Sequence, residues 1–133
     1  MKFKVLLLII LSLFTTNILA QNLADSLYEI AWNNFNEEKY SEAALLFEAA
    51  IDAGKDMAVI HLNAASSWAY ANNKEKTFEH LFKMVNGGYL DKEFVLIWFS
   101  EFYKYHDLKQ WNELMELFDL KRKIVSDPNG FNK

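Results

Sequence analysis

Cysteine is absent from the chain, which removes disulfide frameworks, thiolate zinc sites, thiol nucleophiles and a lipid-modified N-terminal cysteine together. Proline occurs once and glycine four times in 133 residues, too few punctuating residues for a turn-rich all-β fold. Basic side chains are outnumbered: fourteen Lys+Arg against eighteen Asp+Glu give a formal charge of -4, and such a chain does not hold nucleic acid by bulk charge. What is present is apolar mass. Hydrophobic residues make up 52% and aromatics 16% of the sequence, well outside the composition of disordered chains. The length provides for one domain and not two.

The N-terminal stretch reads as an address. Lys2 and Lys4 supply a short positive segment, and the chain is then apolar from Val5 to Phe14 except for Ser12, before Thr15, Thr16 and Asn17 interrupt it. That run falls short of the roughly 20 apolar residues that a membrane-spanning helix needs. Ile18, Leu19 and Ala20 precede Gln21, placing a small residue where a signal peptidase cuts. A cleaved secretory signal over residues 1–20 is the expectation, with an uncleaved anchor as the alternative. Cleavage takes the net charge from -4 to -6 and leaves residues 21–133 in the periplasm or outside the cell, without a membrane span. Residues 21–120 then form the domain and residues 121–133 a tail.

Past Gln21 the apolar residues recur at three- and four-residue steps, the period of amphipathic helices. The runs are Leu27, Ile30, Ala31, Asn34, Phe35; Ala43, Leu46, Phe47, Ala50, Ile51; Ile60, Ala64, Ala65, Trp68; Phe78, Leu81, Phe82, Val85; Phe94, Ile97, Trp98, Phe102; and Trp111, Leu114, Met115, Phe118. Gly54 and the Gly87-Gly88 pair stand where left-handed C-caps belong. Asp56 and Asp91 are placed to cap the third and fifth runs, and Asp107 with Gln110 forms a capping-box pattern for the sixth. The expectation is an all-α fold of six short helices joined by tight polar turns, with no sheet.

The helices pair at a fixed interval. Ala31 and Ala65 lie 34 residues apart, as do Ala43 and Thr77, Phe47 and Leu81, and Ala50 and Met84. A helix-turn-helix repeated at that period resembles the tetratricopeptide repeat (TPR) family. The family's slots hold Leu27, Ile30, Ala31, Asn34, Ala43, Phe47 and Lys55 in the first copy. In the second they hold His61, Ala64, Ala65, Trp68, Thr77, Leu81 and Tyr89. Small side chains at Ala31 with Ala43, and at Ala65 with Thr77, let two helices approach closely while Phe47 or Leu81 fills the gap beside them. A further advance of 34 puts Phe99 and Trp111 at the small slots, and two bulky rings there prise the helices apart. The third pair is therefore expected as a divergent cap on two repeats, resembling a bacterial exported TPR type and closing the open apolar end of the array. Lys121, Arg122 and Lys123 suit a helix C-terminus, and residues 126–130 read as a turn or disordered.

Chemistry-bearing clusters are sparse. No two of His61, His80 and His106 share a metal-binding i, i+4 spacing. His61 falls on a packing slot and is expected as a partly buried structural residue; His106 is expected in a turn. His80 beside Glu79 and His106 beside Asp107 are sequence neighbours that point in different directions on a helix. Ser66, Ser67 and Ser100 lack the glycine-flanked elbow of a hydrolase serine, and Gly87-Gly88 follows a helix and so cradles no phosphate. Glu37, Glu38, Glu42, Glu48 and Asp52 read as a solvated face with no calcium-loop pattern. The expectation is a non-catalytic protein with no metal and no cofactor.

The aromatics divide. Phe47, Phe78, Phe82 and Trp111 are expected in the core. In TPR-like arrays the first helix of each pair lines a concave groove, and the resemblance places Tyr28, Glu29, Trp32 and Asn36 there from the first copy, with Leu62, Asn63, Ser66 and Tyr70 from the second. Spacing supports the first set, because Tyr28, Trp32 and Phe35 share one helical stripe. Rigid rings beside adaptable polar groups suit an extended peptide or a partner helix; alternatively, the cap folds back and makes Trp32 and Tyr70 core. Glu29 stands where carboxylate-gripping relatives need Asn, so that specialised mode is not expected. The leading functional reading is an exported adaptor for a protein or peptide partner. The alternative is a self-associating structural module of the cell envelope, closing its apolar end as a homodimer.

Overall fold

The structure is a computed structural model that describes residues 2–127, with side chains described from residue 19 onward. Alanine at the helix crossings is what shapes it. Ala31 and Ala43 are fully enclosed where α1 (Lys2–Asn36) meets α2 (Tyr40–Asp52), and Ala65 and Thr77 where α3 (Ala58–Tyr70) meets α4 (Lys74–Asn86). A methyl-sized side chain at the crossing lets the backbones draw together, and Phe47 and Leu81, both fully buried, fill the adjoining volume. Consecutive helices pack as antiparallel pairs, with α2 also packed on α3. Among the described residues there is no strand.

The interval of 34 is written in the backbone as well as in the side chains. Glu38 (φ 60°) and Asn72 (φ 59°) take left-handed conformations in the two turns inside the pairs, and Gly54 (φ 109°) and Gly88 (φ 95°) in the turns after them. The capping bonds repeat in step: Lys39 N–H donates to Asn34 and Asn73 N–H to Trp68, each at 2.9 Å, while Lys55 and Tyr89 donate to Ala50 and Met84. Helices α2 and α4 have equal lengths and are offset by the same 34 residues.

The third pair begins in register and then departs. Helix α5 (Lys92–Trp98) starts 34 residues after α3, with Asp91 accepting from Phe94 N–H at 2.9 Å as its cap. It stops after seven residues. Phe99, at the slot held by Ala65 one interval earlier, adopts φ -112° and ψ 72°, and a 3-10 segment (Ser100–Tyr105) follows. A phenyl ring does not fit the close crossing, so the helix breaks there instead of continuing to Phe102. Helix α6 (Lys109–Ser126) then packs on α4, and the 3-10 segment on α3. Phe102, Tyr105, Trp111, Leu114 and Phe118 pack into the larger core with Leu62, Ala65, Phe78 and Leu81, closing one end of the array. Arg122 does more than complement a helix end: its guanidinium holds Glu93 through both nitrogens, at 3.1 and 2.7 Å, and reaches the Leu90 carbonyl at 3.0 Å. That pairing lowers the Glu93 carboxyl to about 2.

Several local expectations are corrected. The first helix is one rod of 35 residues, not a short helix beginning after Gln21. Residue 1, the side chains of residues 2–18 and residues 128–133 lie outside the description, so the apolar character of the leader and most of the expected C-terminal turn are not addressed. Among the described residues no helix is long and apolar enough to cross a membrane. Met57 in extended conformation, not Asp56, occupies the N-cap of α3, and Leu108, not Asp107, that of α6. In both cases the aspartate lies one residue too early for its oxygen to reach the free N–H groups of the first turn. Ile30, Ile97 and Trp98 face outward, Trp98 with 70% of its surface exposed. Phe47, Phe78 and Trp111 are core as expected, with Phe82 packed against the cluster that holds Phe78 and Trp111.

Candidate functional site

One pocket draws on the first helix of every pair. Trp32 and Phe35 from α1, Asn63, Ser66 and Tyr70 from α3, Trp98 at the end of α5, then Phe99 and Glu101 enclose about 230 Å³. The rings are held by one another. Trp32 meets Phe35 edge-on at 5.5 Å, Phe35 meets Tyr70 at 5.8 Å, and Tyr70 stacks on Tyr40 at 4.6 Å. Rings locked in this way offer apolar surface at little entropic cost on binding.

The polar groups sit among the rings. Ser66 Oγ donates to the Glu101 carboxylate. Burial, then the Glu101 charge, raises the Tyr70 phenol above its ordinary value. Asn63 Nδ2 reaches the Tyr28 hydroxyl at 3.5 Å. Glu101 is half-buried, and no Lys, Arg or His among the described residues is paired with it.

The eight residues expected to line a groove therefore separate. Trp32, Asn63, Ser66 and Tyr70 line the pocket, with Tyr70 40% exposed. Tyr28 stands behind them, edge-on to Trp32 and Phe47 and under the Lys55 ammonium. Glu29 and Asn36 are exposed on α1 outside it. Leu62 is a correction: at 1% exposure it belongs to the main core, because residue 62 lies one step around the helix from the face that Asn63 and Ser66 share. Trp98, Phe99 and Glu101 were not anticipated. They enter because the helix break at Phe99 turns the chain across the first helices, so the cap fills the groove partly and leaves a bounded pocket.

A second polar assembly lies between α2, α3 and α4. Asp56 Oδ1 and His61 Nε2 are 2.9 Å apart, as are His61 Nδ1 and His80 Nδ1, and His80 Nε2 and Glu48 Oε1. Trp68 Nε1 also donates to Glu48 at 3.0 Å, and Lys76 lies 3.2 Å from it. Glu48 is thus no member of a solvated face. Three links in this chain need three protons, whereas two neutral imidazoles carry two. Burial lowers the His80 pKa below its ordinary value despite Glu48. Neutral His80 then donates from Nε2 to Glu48 and accepts at Nδ1 from His61. Burial pushes Glu48 up, but hydrogen bonds from His80, Trp68 and Lys76 together hold it below the ordinary carboxylate range. His61 is buried, as its packing slot implied. Its partnership with His80 has no spacing signal, since the two residues come from different helices.

Among the described residues, no group of three or more His, Cys, Asp or Glu is arranged to hold a metal. His106 stacks on Trp111 at 4.2 Å in the turn after the 3-10 segment. Comparison of the chain with protein-family models, with characterised proteins and with solved structures finds no match.

Proposed function

We propose that this protein is an exported, TPR-like, non-catalytic interaction module that takes a peptide or protein partner into the pocket between its first helices. The observation that carries the reading is that α1, α3 and the α5 break all contribute to a single aromatic-walled concavity. The TPR-like part rests on small residues and left-handed turn residues recurring together at 34. Export rests on the sequence pattern of residues 1–20 alone. Binding is passive: fixed rings provide contact area, while Asn63, Ser66 and Glu101 provide hydrogen bonds that orient the ligand. No cofactor is required by this mechanism.

The test is partner capture from the native cell envelope by the wild-type protein and by a Trp32→Ala, Tyr70→Ala variant. The variant is expected to keep its helical circular dichroism and lose the captured species. Equal capture by both proteins would overturn the pocket as the binding site, and an unfolded variant would assign those rings to the core. The exposed Phe94, Ile97 and Trp98 on α5 favour a second reading, in which two copies associate through that face. Light scattering that shows a concentration-independent monomer would eliminate it.

A further inference from the structure

The pocket contains one anion and an unusual number of rings. Trp32, Phe35, Tyr70, Trp98 and Phe99 line the space together with Glu101, whose carboxylate lies beside Ser66 of the same lining. The Ser66 hydroxyl donates to that carboxylate and holds it in place. Hydroxyl donors orient the charge without neutralising it, and a half-buried carboxylate among rings retains its demand for a cation. The nearby Lys104 does not meet it, because its ammonium is bonded to the Ala69 carbonyl and the Asn72 side chain. Aromatic faces carry negative quadrupoles, so rings around a carboxylate attract cations and reject anions. Glu29 on the neighbouring α1 surface and a net charge of -4 have the same sign. The dimensions also limit the occupant: about 230 Å³ admits one long side chain and not a folded element.

We propose that the pocket is a receptor for one lysine or arginine side chain, presented by an extended segment of the partner. The aliphatic stem lies along Trp32, Phe35 and Phe99, the cationic head meets Glu101, and Trp98 at the rim covers the stem. This deepens the peptide-binding reading above and rests on it. An acidic or purely apolar segment would leave Glu101 desolvated and unpaired.

The probes are n-butylammonium and n-propylguanidinium, with n-butanol as the neutral counterpart and tetramethylammonium as the quaternary one. They are titrated into the 15N-labelled protein while the indole signals of Trp32 and Trp98 and the Asn63 amide are followed. Both primary probes are expected to shift these signals saturably in the millimolar range, at least tenfold more tightly than n-butanol. Glu101→Gln, which keeps the hydroxyl acceptor, is expected to remove that tenfold preference with unchanged circular dichroism and melting. Equal affinity for n-butanol, or a preference that survives Glu101→Gln, would overturn the cation receptor. Tighter binding of tetramethylammonium than of either primary probe would overturn a basic side chain as the occupant. Partner capture separates this failure from that of the parent reading. If Glu101→Gln captures the partner as well as wild type while Trp32→Ala, Tyr70→Ala does not, the pocket binds but not through a cation. Should Glu101→Gln misfold, Glu101→Asp provides the second variant: it keeps the charge but withdraws it by one methylene, and is expected to weaken the ammonium probe while sparing n-butanol.

Discussion

Replacing Ala65 by leucine tests the central packing claim, because its sign is decided by the space at the crossing. Ala65 is fully enclosed between α3 and α4, in a cluster with Leu62, Phe78 and Leu81. If the site had room, the extra carbons would bury about 60 Å² more apolar surface and stabilise the fold by about 1–2 kcal/mol, at about 25 cal/mol per Å². In a filled crossing the same carbons must displace a helix or force strained rotamers, at about 1–3 kcal/mol. In a domain of this size each kcal/mol shifts the melting temperature by about 4 °C. The expected result is therefore a fall of about 4–12 °C for Ala65→Leu by differential scanning calorimetry. Asn33→Leu, on an exposed position of α1, is the control and should change melting by less than about 2 °C. A melting temperature that rises or stays level in Ala65→Leu would refute the close crossing, and with it the account of why Phe99 breaks the third pair.

The histidine chain and the turns each carry further expected outcomes. The His80 pKa lies below its ordinary 6.5, so on acidification the unfolded chain takes up a proton that the folded chain refuses, and stability declines from about pH 6.5 downward. Glu48, held below 4.5, is protonated more readily in the unfolded chain and extends the decline through the range below that value. Melting measured from pH 8 to pH 4 should be flat and then fall, His80→Gln should remove the upper part of the fall, and stabilisation on acidification would contradict this. Added methyl groups at Gly54 and Gly88 meet nothing within 4 Å, so Gly54→Ala and Gly88→Ala should each cost about 1–2 kcal/mol from the left-handed backbone alone. Glu38→Gly, at φ 60°, should be neutral or stabilising in thermal melts, with loss of more than about 1 kcal/mol counting against the turn geometry.

The helices, their pairing and the failure of the third pair are legible from residue spacing, because each depends on local facts: a period of three or four, glycine after a helix, a methyl group where two rods cross. Ala31, Ala43, Ala65 and Thr77 are all enclosed, and Phe99 breaks its helix at the position that the interval marks as too small for a ring. Side-chain direction was less legible. Leu62 and Asn63 are neighbours, yet one is core and the other faces the pocket. A helix turns by 100° per residue, and periodicity does not fix which degree of that turn meets the neighbouring rod.

Contacts between helices that are distant in sequence belong to the tertiary structure alone. His61 meets His80, and Glu48 meets both His80 and Trp68, because α2, α3 and α4 pack with one particular rotation, which no residue interval encodes. Glu101 joins Ser66 across 35 positions because the chain bends at Phe99 and carries the following segment over α3. The sequence by itself determined that short rods would stack and where stacking would fail. Where the chain goes after that failure depends on which surface of the finished pairs is free to receive it, and that surface exists only once the pairs have formed.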